Sequence, residues 1–508
     1  MSGLTLINLA FMKMQRRAEM NDRSKLVSTF VDSGSLFTLL SSQDHQIVYG
    51  RRGTGKTHAF IYLAETVAKQ GSIPIYIDMR NIGSSGGVYT DVSLPLTERA
   101  TRLLLDTLST FCDAIYEFVL ENEELLGDKR LERCLDELAT NISSVGVISS
   151  NNNQNNQNYS NKQHIVRFGS IGQLLRNLVR CVPLKKIWVL LDEWSSVPLD
   201  LQPYLADFIR RSMFPIQGII VKIAAIEQRT RFQLPFIEGN YVGIEVGADI
   251  AADINLDDFM VFDNDAERAN LFFKELIHKH YQAIDGIELE DDSKSSDDLL
   301  REAFTQNNVF TEFVRASEGV PRDSINIIML AAKRANDRKI SMNDIRVAAS
   351  QWYSRDKGTA VESNPEASEL LHWITDEVIG NRKARAFLLR KDTKSELIER
   401  LFDSRVLHVL KRNISSNEEP GVRYDVYKLD YGCYVDLINT QKAPLNLLPG
   451  QEDKEEQYYI EVPPDDYRAI RRAVLDLKKF EERIVQLSLK REHPIMGECR
   501  EDTGSAQS

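Results

Sequence analysis

The chain has 508 residues, of which 42% are hydrophobic and 27% are charged, a composition typical of a globular protein. This composition excludes a collagen-like, wholly disordered or membrane-embedded chain, and the length predicts about three domains. The formal net charge of −12 argues against a polyanion bound over the whole surface, although it leaves a local basic face possible.

The cysteines and the first residues predict the compartment. The five cysteines are scattered, with no CxxC and no zinc-ligand spacing, so we expect reduced thiols. At the start, the apolar residues 4–12 precede Lys13, Arg16 and Arg17, the reverse of the order in a signal peptide. No apolar run approaches the roughly 20 residues that span a bilayer. We therefore expect a soluble, cytoplasmic protein with no membrane partner.

Short apolar runs in the first half predict the strands of a sheet. Residues 1–44 are expected to form a short helical lead-in. Residues 45–49, 73–79, 186–191 and 218–226 are predicted strands, and residues 241–246 are a candidate fifth strand. Residues 57–70 and 94–142 have helical spacing. Alternating strands and helices predict a parallel α/β sheet flanked by helices.

The second half is expected to be mostly helical. From about residue 260 the pattern is helical, interrupted by the acidic stretch 288–298, which we expect to be solvated. Residues 365–440 are predicted to hold two or three helices and a hairpin at 424–435. The polar tract 151–161 (NNNQNNQNYSN) is predicted to be a mobile loop, and the last 15 or so residues to be disordered.

The most specific motif is the glycine-rich turn after the first strand. Residues 50–57 (GRRGTGKT) match GxxxxGK[ST] without a missing position, between a predicted strand and a predicted helix. Such a turn directs backbone N–H groups and a helix N-terminus at a phosphate. Lys56 is expected to reach the β- and γ-phosphates, and the Thr57 hydroxyl to ligate Mg²⁺. The predicted nucleotide-binding residues are Gly50, Arg51, Arg52, Gly53, Thr54, Gly55, Lys56, Thr57 and His58.

A second motif is the pair of carboxylates that ends a buried strand. Residues 187–193 (IWVLLDE) are an apolar run closed by Asp192 and Glu193. Beside a phosphate turn, Asp192 is expected to hold the Mg²⁺ shell and Glu193 to orient and deprotonate the attacking water. Taken alone, the pair fits this role and an N-cap Asp with a neighbouring Glu in a surface turn equally well. A metabolite kinase does not need this carboxylate pair, so the pair favours hydrolysis over phosphoryl transfer to a small molecule.

These two motifs resemble those of the AAA+ class of P-loop ATPases. Residues 316–325 (ASEGVPRDSI) resemble the GxPR sensor-2 motif of the AAA+ lid, and the resemblance implies that Arg322 points at the γ-phosphate and joins Lys56 and Glu193 as a catalytic residue. Residues 341–345 (SMNDI) resemble the start of the last lid helix. The chain is thus similar to the prokaryotic origin-recognition and replication-initiator clade, and to its STAND relatives, over about residues 30–350.

The sequence departs from that pattern at three places. The separation of Lys56 from Asp192 implies an insertion at about residues 83–185. The small polar sensor-1 residue is left open between Glu227 and Gln228. Four arginines are candidates for a finger acting on a neighbouring subunit, although an ordinary surface charge explains each of them better: Arg210, Arg211, Arg229 and Arg231.

Initiator-type relatives often carry a winged helix after the lid. Residues 384–389 and 393–402 are predicted as its successive helices, and residues 422–435 as its wing. Residues 382–412 hold ten Lys or Arg against four Asp or Glu, which could neutralise the phosphates of double-stranded DNA. The basic residues comprise Lys391, Lys394, Arg400 and Arg405 around the second helix, and Lys411, Arg412 and Arg423 beside the hairpin. A solvated face or a protein-docking surface fits the same charge.

The predicted organisation has five parts. They are an N-terminal lead-in (1–30), an AAA+ α/β core (31–255), an all-α lid (256–355), a winged-helix-like domain (356–445) and a C-terminal helical segment with a tail (446–508). One functional hypothesis is an ATP hydrolase that acts on DNA. The other is a STAND-like nucleotide-gated switch working with an effector protein, as in antiphage defence; a homo-oligomer fits either. A third possibility is that the nucleotide is only structural.

Overall fold

The computed structural model describes most of the chain in two units. The first unit comprises Met1–Lys357 and Asp430–Val435, and the second comprises Gly358–Leu429 and Asp436–Ser508. The described residues are 3–16, 22–32, 34–82, 89–123, 125–144, 166–182, 185–235, 241–259, 261–263, 265–284, 295–382, 384–393, 395–415, 420–435 and 474–492. The predicted loop 151–161, most of the acidic stretch 288–298 and the C-terminal tail lie outside them.

The first unit is built around a parallel sheet. Its described strands are β1 (Gln46–Tyr49), β2 (Ile73–Asp78), β3 (Ile187–Asp192), β4 (Ile219–Ala225), β5 (Gln233–Pro235), β6 (Tyr241–Gly243) and β7 (Ala251–Asn255). Five of them form one sheet in the order β2-β3-β4-β1-β7, with every neighbouring pair parallel. The predicted fold class, a parallel α/β sheet flanked by helices, is confirmed.

One strand of the sheet differs from the prediction. Tyr241–Gly243 pairs antiparallel with Gln233–Pro235 in a separate two-stranded sheet, and Ala251–Asn255 takes the fifth place instead. The sequence of that strand, AADIN, did not predict a strand, because Ile254 is its one fully buried residue. An edge strand has a neighbour on one side alone and needs fewer apolar residues than a central strand.

Helices of the first unit cover both faces of the sheet. The unit begins with α1 (Gly3–Lys13) and α2 (Arg23–Thr29), which pack on other helices. The helices that follow are α3 (Leu36–Leu40), α4 (Lys56–Lys69), α5 (Leu96–Glu121), α6 (Lys129–Ser144), α7 (Phe168–Cys181) and α8 (Gln202–Ser212). Strand β3 is buried along its whole length. Val189 and Leu191 face one core with α5–α8, whereas Trp188 and Leu190 face a smaller core with α3 and α4. This explains the continuous apolar run of β3.

The expected insertion at residues 83–185 contributes α5, α6 and α7 to the larger core. Phe111 of α5, Leu135 of α6 and Leu175 of α7 are fully buried there. The four described cysteines are free thiols, and the Sγ atoms of Cys134 and Cys181 lie 2.6 Å apart between α6 and α7.

The remaining helices of the first unit follow the sheet. They are α9 (Leu256–Phe259), α10 (Ala266–Gln282), α11 (Ser296–Ala303), α12 (Asn307–Ala316), α13 (Pro321–Ala335) and α14 (Met342–Trp352). Helix α13 starts with proline at its first position, as helices commonly do. Helix α14 starts with a capping box between Ser341 and Asp344, which satisfies two backbone N–H groups. These helices form the region that the sequence assigns to a lid.

The chain returns to the first unit after the hairpin of the second. The short helix α18 (Tyr431–Tyr434) belongs to the first unit, and both tyrosines are buried. Just before it, Asp430 accepts a hydrogen bond from Lys357 Nζ at 2.5 Å, and the same ammonium lies 2.8 Å from Asp323 Oδ2. A lysine between two buried carboxylates thus ties this returning segment to α13.

The second unit combines helices with an antiparallel sheet. Its described elements are α15 (Thr359–Glu362), α16 (Pro365–Ile374), β8 (Ala386–Arg390), α17 (Glu396–Asp403), β9 (Leu407–Ser415), β10 (Arg423–Leu429) and α19 (Leu477–Glu492). The strand order is β8-β10-β9. Among all described helices, none is both long and apolar enough to cross a membrane.

Two expectations for the second unit are wrong. Residues 384–389 do not form a helix, because Ala386–Arg390 is a strand with four consecutive buried residues. A run this short does not distinguish a strand from a helix by periodicity. The hairpin is formed by β9 and β10, so residues 422–435 supply one of its strands and then α18. The prediction of a helix at 393–402 corresponds to α17.

Candidate nucleotide site

The glycine-rich turn joins the carboxyl end of β1 to the start of α4. Gly50 N donates to Ala225 O at 3.1 Å, so the turn begins where β1 and β4 end together. Gly53 and Gly55 have φ values of 90° and 102°, which L side chains rarely adopt. The glycines therefore allow the turn to curl around the N-terminus of α4, where an anion is stabilised by free N–H groups and the helix dipole.

Lys56 lies at the first position of α4 and is buried. Its Nζ donates to Gly50 O at 2.6 Å and to Arg51 O at 3.0 Å, both carbonyls of the turn. Burial lowers the pKa of the Lys56 ammonium, and the nearby carboxylates of Glu193, Asp192 and Asp257 oppose this effect. A cation held in this way is stabilised further by any anion that enters the turn.

Asp192 connects the turn to the central strand. Its side chain is fully buried at the end of β3, and Thr57 Oγ1 donates to its Oδ2 at 2.6 Å. Tyr76 of β2 donates to the same oxygen at 2.9 Å, and Glu193 N donates to Oδ1 at 2.8 Å. The hydroxyl and the carboxylate that the sequence assigns to one metal ion are thus in direct contact.

Glu193 follows in a left-handed conformation, with φ 53° and ψ 40°. This conformation costs an ordinary residue roughly 1–2 kcal/mol. Such strain concentrates at functional sites, because the surrounding structure must hold it. The conformation ends β3 abruptly, and Glu193 lines the cavity in front of the turn, whereas Asp192 stays buried behind Thr57.

Arg322 brings the helices after the sheet to the same turn. Its backbone N donates to Gly53 O at 3.2 Å at the start of α13. A Cβ on Gly53 would lie 2.9 Å from the Cβ of Arg322, closer than real side chains approach. Glycine at position 53 therefore serves two needs, a positive φ and the close approach of α13.

A cavity of about 280 Å³ lies between these elements. Its walls include Arg52, Gly53, Gly55, Lys56, Thr57, His58, Glu193 and Arg322, together with Gln15, Arg16, Leu26, Arg80, Ser196, Leu276, His280, Pro321 and Ile325. The structure thus brings together eight of the predicted site residues around one space. Its polar character and its position at the carboxyl ends of parallel strands are typical of a ligand site in an open α/β sheet.

The other predicted residues do not line this cavity. Arg51 is buried and faces Asp257 of α9, which accepts from its Nε at 2.7 Å and from its backbone N at 2.9 Å. Thr54 Oγ1 donates to Arg51 O at 2.9 Å. Arg51 and Thr54 therefore shape the turn from outside the cavity. Sequence analysis missed Asp257, because the strand that precedes it, β7, was not predicted.

An apolar recess adjoins the polar cavity. Phe30, Leu36, Ala59, Leu256, Phe272, Leu276 and Pro321 are among the residues that line it. Phe30 stacks on Tyr62 at 4.1 Å between ring centroids. His58 Nε2 donates to Leu26 O at 2.5 Å, and burial lowers the pKa of His58. Because the carbonyl can only accept, Nε2 of His58 carries a proton.

A second histidine lies at the border of the polar cavity. His280 of α10 is bonded to Leu276 O through Nδ1 at 2.9 Å. Burial, with a smaller contribution from His58, lowers the pKa of His280 to about 4. Both histidines are therefore uncharged at neutral pH, and this side of the cavity is suited to an uncharged group.

The uncertain sensor and finger candidates lie outside the cavity. Glu227 is exposed, and the Gln228 Oε1 atom is buried just after β4. Arg210 and Arg211 both pair with Asp207, at 2.7 and 2.9 Å. Arg229 and Arg231 are exposed beyond β4. Neither sensor 1 nor a finger residue is singled out by these positions.

The basic region of the second unit is divided by its ion pairs. Arg382 pairs with Glu377 at 2.8 Å and Arg390 with Asp392 at 2.9 Å. Arg405 is buried. Helix α17 carries three acidic residues and one arginine, Arg400. Lys394 lies outside the described residues. The excess positive charge therefore does not lie on α17.

Three exposed basic residues lie on the sheet of that unit or directly after its first strand. Lys391 N donates to Arg423 O at 2.9 Å, and Lys391 Nζ donates to Asn413 Oδ1 at 2.5 Å. Lys411 is exposed on β9, and Arg423 begins β10. We call Lys391, Lys411 and Arg423 the hairpin cations.

Comparisons with known proteins agree with part of this description. Residues 15–82 match the model of the ORC-CDC6-like family, a stretch that includes β1, the glycine-rich turn, α4 and β2. No curated protein matches the sequence significantly. Solved structures similar to the chain include the ORC1 protein of Aeropyrum pernix in complex with DNA, at 11% identity and a TM-score of 0.29, over 84% of this chain and 94% of that chain.

The class of fold follows from the sheet and the turn. A parallel sheet flanked by helices, with a glycine-rich turn between its first strand and a helix, is an α/β fold that places the turn where it can bind a phosphate. The ORC-CDC6-like match covers the turn and ends before the acidic pair. The first part of the chain is thus similar to origin-recognition and Cdc6-like proteins.

Proposed function

We propose that the protein is an AAA+ ATPase that binds ATP with Mg²⁺ in the cavity of the first unit, hydrolyses it to ADP and phosphate, and acts on DNA. The observation that carries the proposal is the 2.6 Å hydrogen bond from Thr57 to Asp192. It joins the phosphate turn to the acidic pair, two motifs that lie 135 residues apart in the sequence. A glycine-rich turn that arose by chance would not be expected to contact a buried carboxylate.

The residues of the turn bind the phosphates in this proposal. The N–H groups of the turn and of the first residues of α4 face the anion, and Lys56 pairs with it. Thr57 and Asp192 supply the hydroxyl and carboxylate oxygens that Mg²⁺ prefers, and they fit the ion because they already share one hydrogen bond. When bound, Mg²⁺ neutralises charge on the phosphate oxygens.

Glu193 and Arg322 act on the transferred phosphoryl group in this proposal. Glu193 lines the cavity and has a carboxylate to orient the attacking water and accept its proton. Arg322 lines the same cavity from α13, so its guanidinium can pair with the γ-phosphate. Because Arg322 lies on α13, loss of that phosphate is expected to weaken the hold of α13 on the turn.

The apolar recess is the proposed place of the base. It lies between Phe30, Leu256 and Leu276, next to two neutral histidines. A purine is flat, uncharged and largely apolar on its faces, so it suits such a recess better than the polar cavity does.

The DNA part of the proposal rests on the second unit. The hairpin cations give its sheet an exposed positive strip, and α17 lacks the basic character of a recognition helix. We therefore place the phosphate contacts on β9, β10 and the end of β8. Phosphate contacts of this kind are independent of DNA sequence and weaken with salt.

A nucleotide-gated switch acting with an effector protein uses the same cavity, and so does a homo-oligomer. Turnover separates the alternatives. A DNA-associated ATPase accelerates hydrolysis when duplex is present, whereas a switch retains its nucleotide and responds to its protein partner instead.

The test is the ATPase rate of the full chain with and without duplex DNA. We expect stimulation at low salt that disappears as salt rises. Replacing Lys411 and Arg423 by alanine should abolish stimulation and leave the basal rate intact, while Lys69→Ala, at an exposed position of α4, should retain both. An ATPase rate that is the same with and without duplex DNA, together with no DNA binding at low salt, would refute the DNA part of the proposal. That result would favour the switch.

A further inference from the structure

Tyr76 contacts the acidic pair from a strand that carries no recognised motif. It lies in β2, where it is the register partner of Leu190 in β3. Its hydroxyl donates to Asp192 Oδ2 at 2.9 Å, the oxygen that also accepts from Thr57. Among the described residues, Asp192 is the only hydrogen-bond partner recorded for this hydroxyl.

The position of Tyr76 is explained by the pleat of β2. Alternate residues of this strand are buried, with Ile73, Ile75 and Ile77 facing the larger core. Tyr76 points to the other face, where its ring packs against the smaller core. A phenylalanine could supply that packing, so the hydroxyl itself needs another explanation.

The hydroxyl is one of three donors to Asp192. Each of the two Asp192 oxygens has a fixed donor: Tyr76 and Thr57 on Oδ2, and Glu193 N on Oδ1. A carboxylate held at both oxygens cannot rotate freely about its Cβ–Cγ bond.

We propose that Tyr76 is a positioning residue for the Mg²⁺ site, which acts through Asp192. The hydroxyl holds the Asp192 carboxylate in one orientation beside Thr57, so that little reorganisation is needed when the ion binds. This inference rests on the proposed function, since it assigns Asp192 to Mg²⁺. Hydrogen-bond partners of metal-ligating groups typically change metal affinity 10–100-fold when removed.

The chain offers a matched control for the loss of the hydroxyl. Tyr116 of α5 donates to Asp136 Oδ1 of α6 at 2.7 Å, on the exposed side of the insertion. Tyr116→Phe removes a tyrosine–carboxylate hydrogen bond as Tyr76→Phe does, but far from the turn. Any effect shared by both variants belongs to packing or general stability.

The experiment measures equilibrium binding of a fluorescent ATP analogue to the full chain while Mg²⁺ is titrated, with an EDTA series as baseline. For Tyr76→Phe we expect the Mg²⁺ concentration at half-saturation to rise about 10-fold. Binding in EDTA and the thermal midpoint should stay near wild type, and Tyr116→Phe should match wild type throughout.

A double variant tests whether Tyr76 acts through Asp192. In an Asp192→Asn background the Mg²⁺ dependence should already be weak, and adding Tyr76→Phe should change it less than twofold. Equal, additive losses in both backgrounds would contradict action through Asp192.

Three further results overturn the inference, and they are distinguishable. An unchanged Mg²⁺ half-saturation in Tyr76→Phe refutes the role of Tyr76 alone. Weaker binding in EDTA together with a lower thermal midpoint shows that the hydroxyl serves packing. A wild-type protein that binds the analogue equally with Mg²⁺ and EDTA, or not at all, refutes the proposed metal site and the inference with it.

Discussion

Lys56 and Lys222 are two buried lysines of the same parallel sheet domain, and their surroundings differ. Burial lowers the pKa of both ammonium groups. Lys56 follows the carboxyl end of β1 and faces a cavity lined by Glu193. Lys222 lies in β4, level with Gln46 at the start of β1, and donates to Gln46 Oε1 and to Ser42 O at 2.8 Å.

The difference teaches that burial of a charge does not by itself mark a site. Lys222 has its partners in place and lies 5.5 Å from the Trp188 ring, within a closed environment. Lys56 is bonded to carbonyls of a turn that opens onto space, with acidic residues nearby. The carboxyl ends of parallel strands gather the loops, so a lysine there can meet a ligand.

The largest expected effect separates these two lysines directly. Lys56→Ala removes the cation that pairs with the phosphates, so we expect the dissociation constant for ATP to rise at least 100-fold. Lys222→Met should leave ATP affinity within twofold of wild type. Equilibrium titration with a fluorescent ATP analogue measures both. If Lys222→Met lost ATP binding while remaining folded, the functional distinction between the lysines would be wrong.

The next effect separates binding from hydrolysis at the carboxyl ends of the strands. Glu193→Gln keeps the shape of the side chain and removes its ability to accept a proton. We expect kcat to fall about 10²–10⁴-fold with ATP binding retained, so that the variant traps ATP. Glu117→Gln, at an exposed residue of α5 outside the cavity, is the comparison and should hydrolyse ATP within twofold of wild type. A wild-type rate in Glu193→Gln would refute the role of Glu193.

A smaller effect is expected where α13 meets the turn. Gly53→Ala places a Cβ 2.9 Å from the Cβ of Arg322 and imposes a φ of 90° on alanine. We expect α13 to move away from the turn and ATP affinity to fall about 10-fold, measured by the same titration. Gly71→Ala, with φ 80° and no neighbour within 4 Å of the new Cβ, carries similar backbone strain without that contact. Equal affinities in the two variants would mean that the contact with Arg322 is unimportant for binding.

The sequence predicted the parts of the site that lie in contiguous motifs. The turn and the acidic pair each occupy a few successive residues beside an apolar strand, and the chemistry needs those residue types together. Four of the five sheet strands were predicted from short apolar runs: β1, β3 and β4 lie inside the sheet, and the edge strand β2 has alternate buried isoleucines. The edge strand β7 was missed because its sequence, AADIN, has little apolar character.

The sequence could not predict hydrogen-bond partners that come from distant segments of the chain. Tyr76 reaches Asp192 from 116 residues away because β2 and β3 are neighbours in register. Asp257 reaches Arg51 from 206 residues away. Nothing in the local pattern of Tyr76 distinguishes it from a strand residue that only packs. The prediction for β8 was wrong for a different reason, because its short apolar run fits a helix and a strand equally well.

The last prediction has the smallest effect on activity, because it concerns the pH dependence of stability. It tests whether Lys222 lies in a closed environment. Burial lowers the pKa of Lys222 to about 7, against the opposing influence of Asp44 and Asp253, whereas a lysine in the unfolded chain titrates near 10.5. Between these values the unfolded chain binds a proton that the folded chain does not, so the free energy of unfolding rises with pH in this window and levels off below about pH 7. One pH unit corresponds to about 1.4 kcal/mol at most.

Lys222→Met removes this titration while keeping the side chain long and apolar. We therefore expect the unfolding free energy of wild type, relative to Lys222→Met, to increase by about 2 kcal/mol between pH 7.5 and pH 9.5. Denaturant unfolding at several pH values, followed by the fluorescence of tryptophans such as Trp188, measures the difference. The exposed Lys69→Met variant controls for loss of any lysine and should run parallel to wild type. If the Lys222→Met curve also ran parallel, Lys222 would keep its charge throughout this pH range, and the structural contrast with Lys56 would then lie in access to a ligand alone.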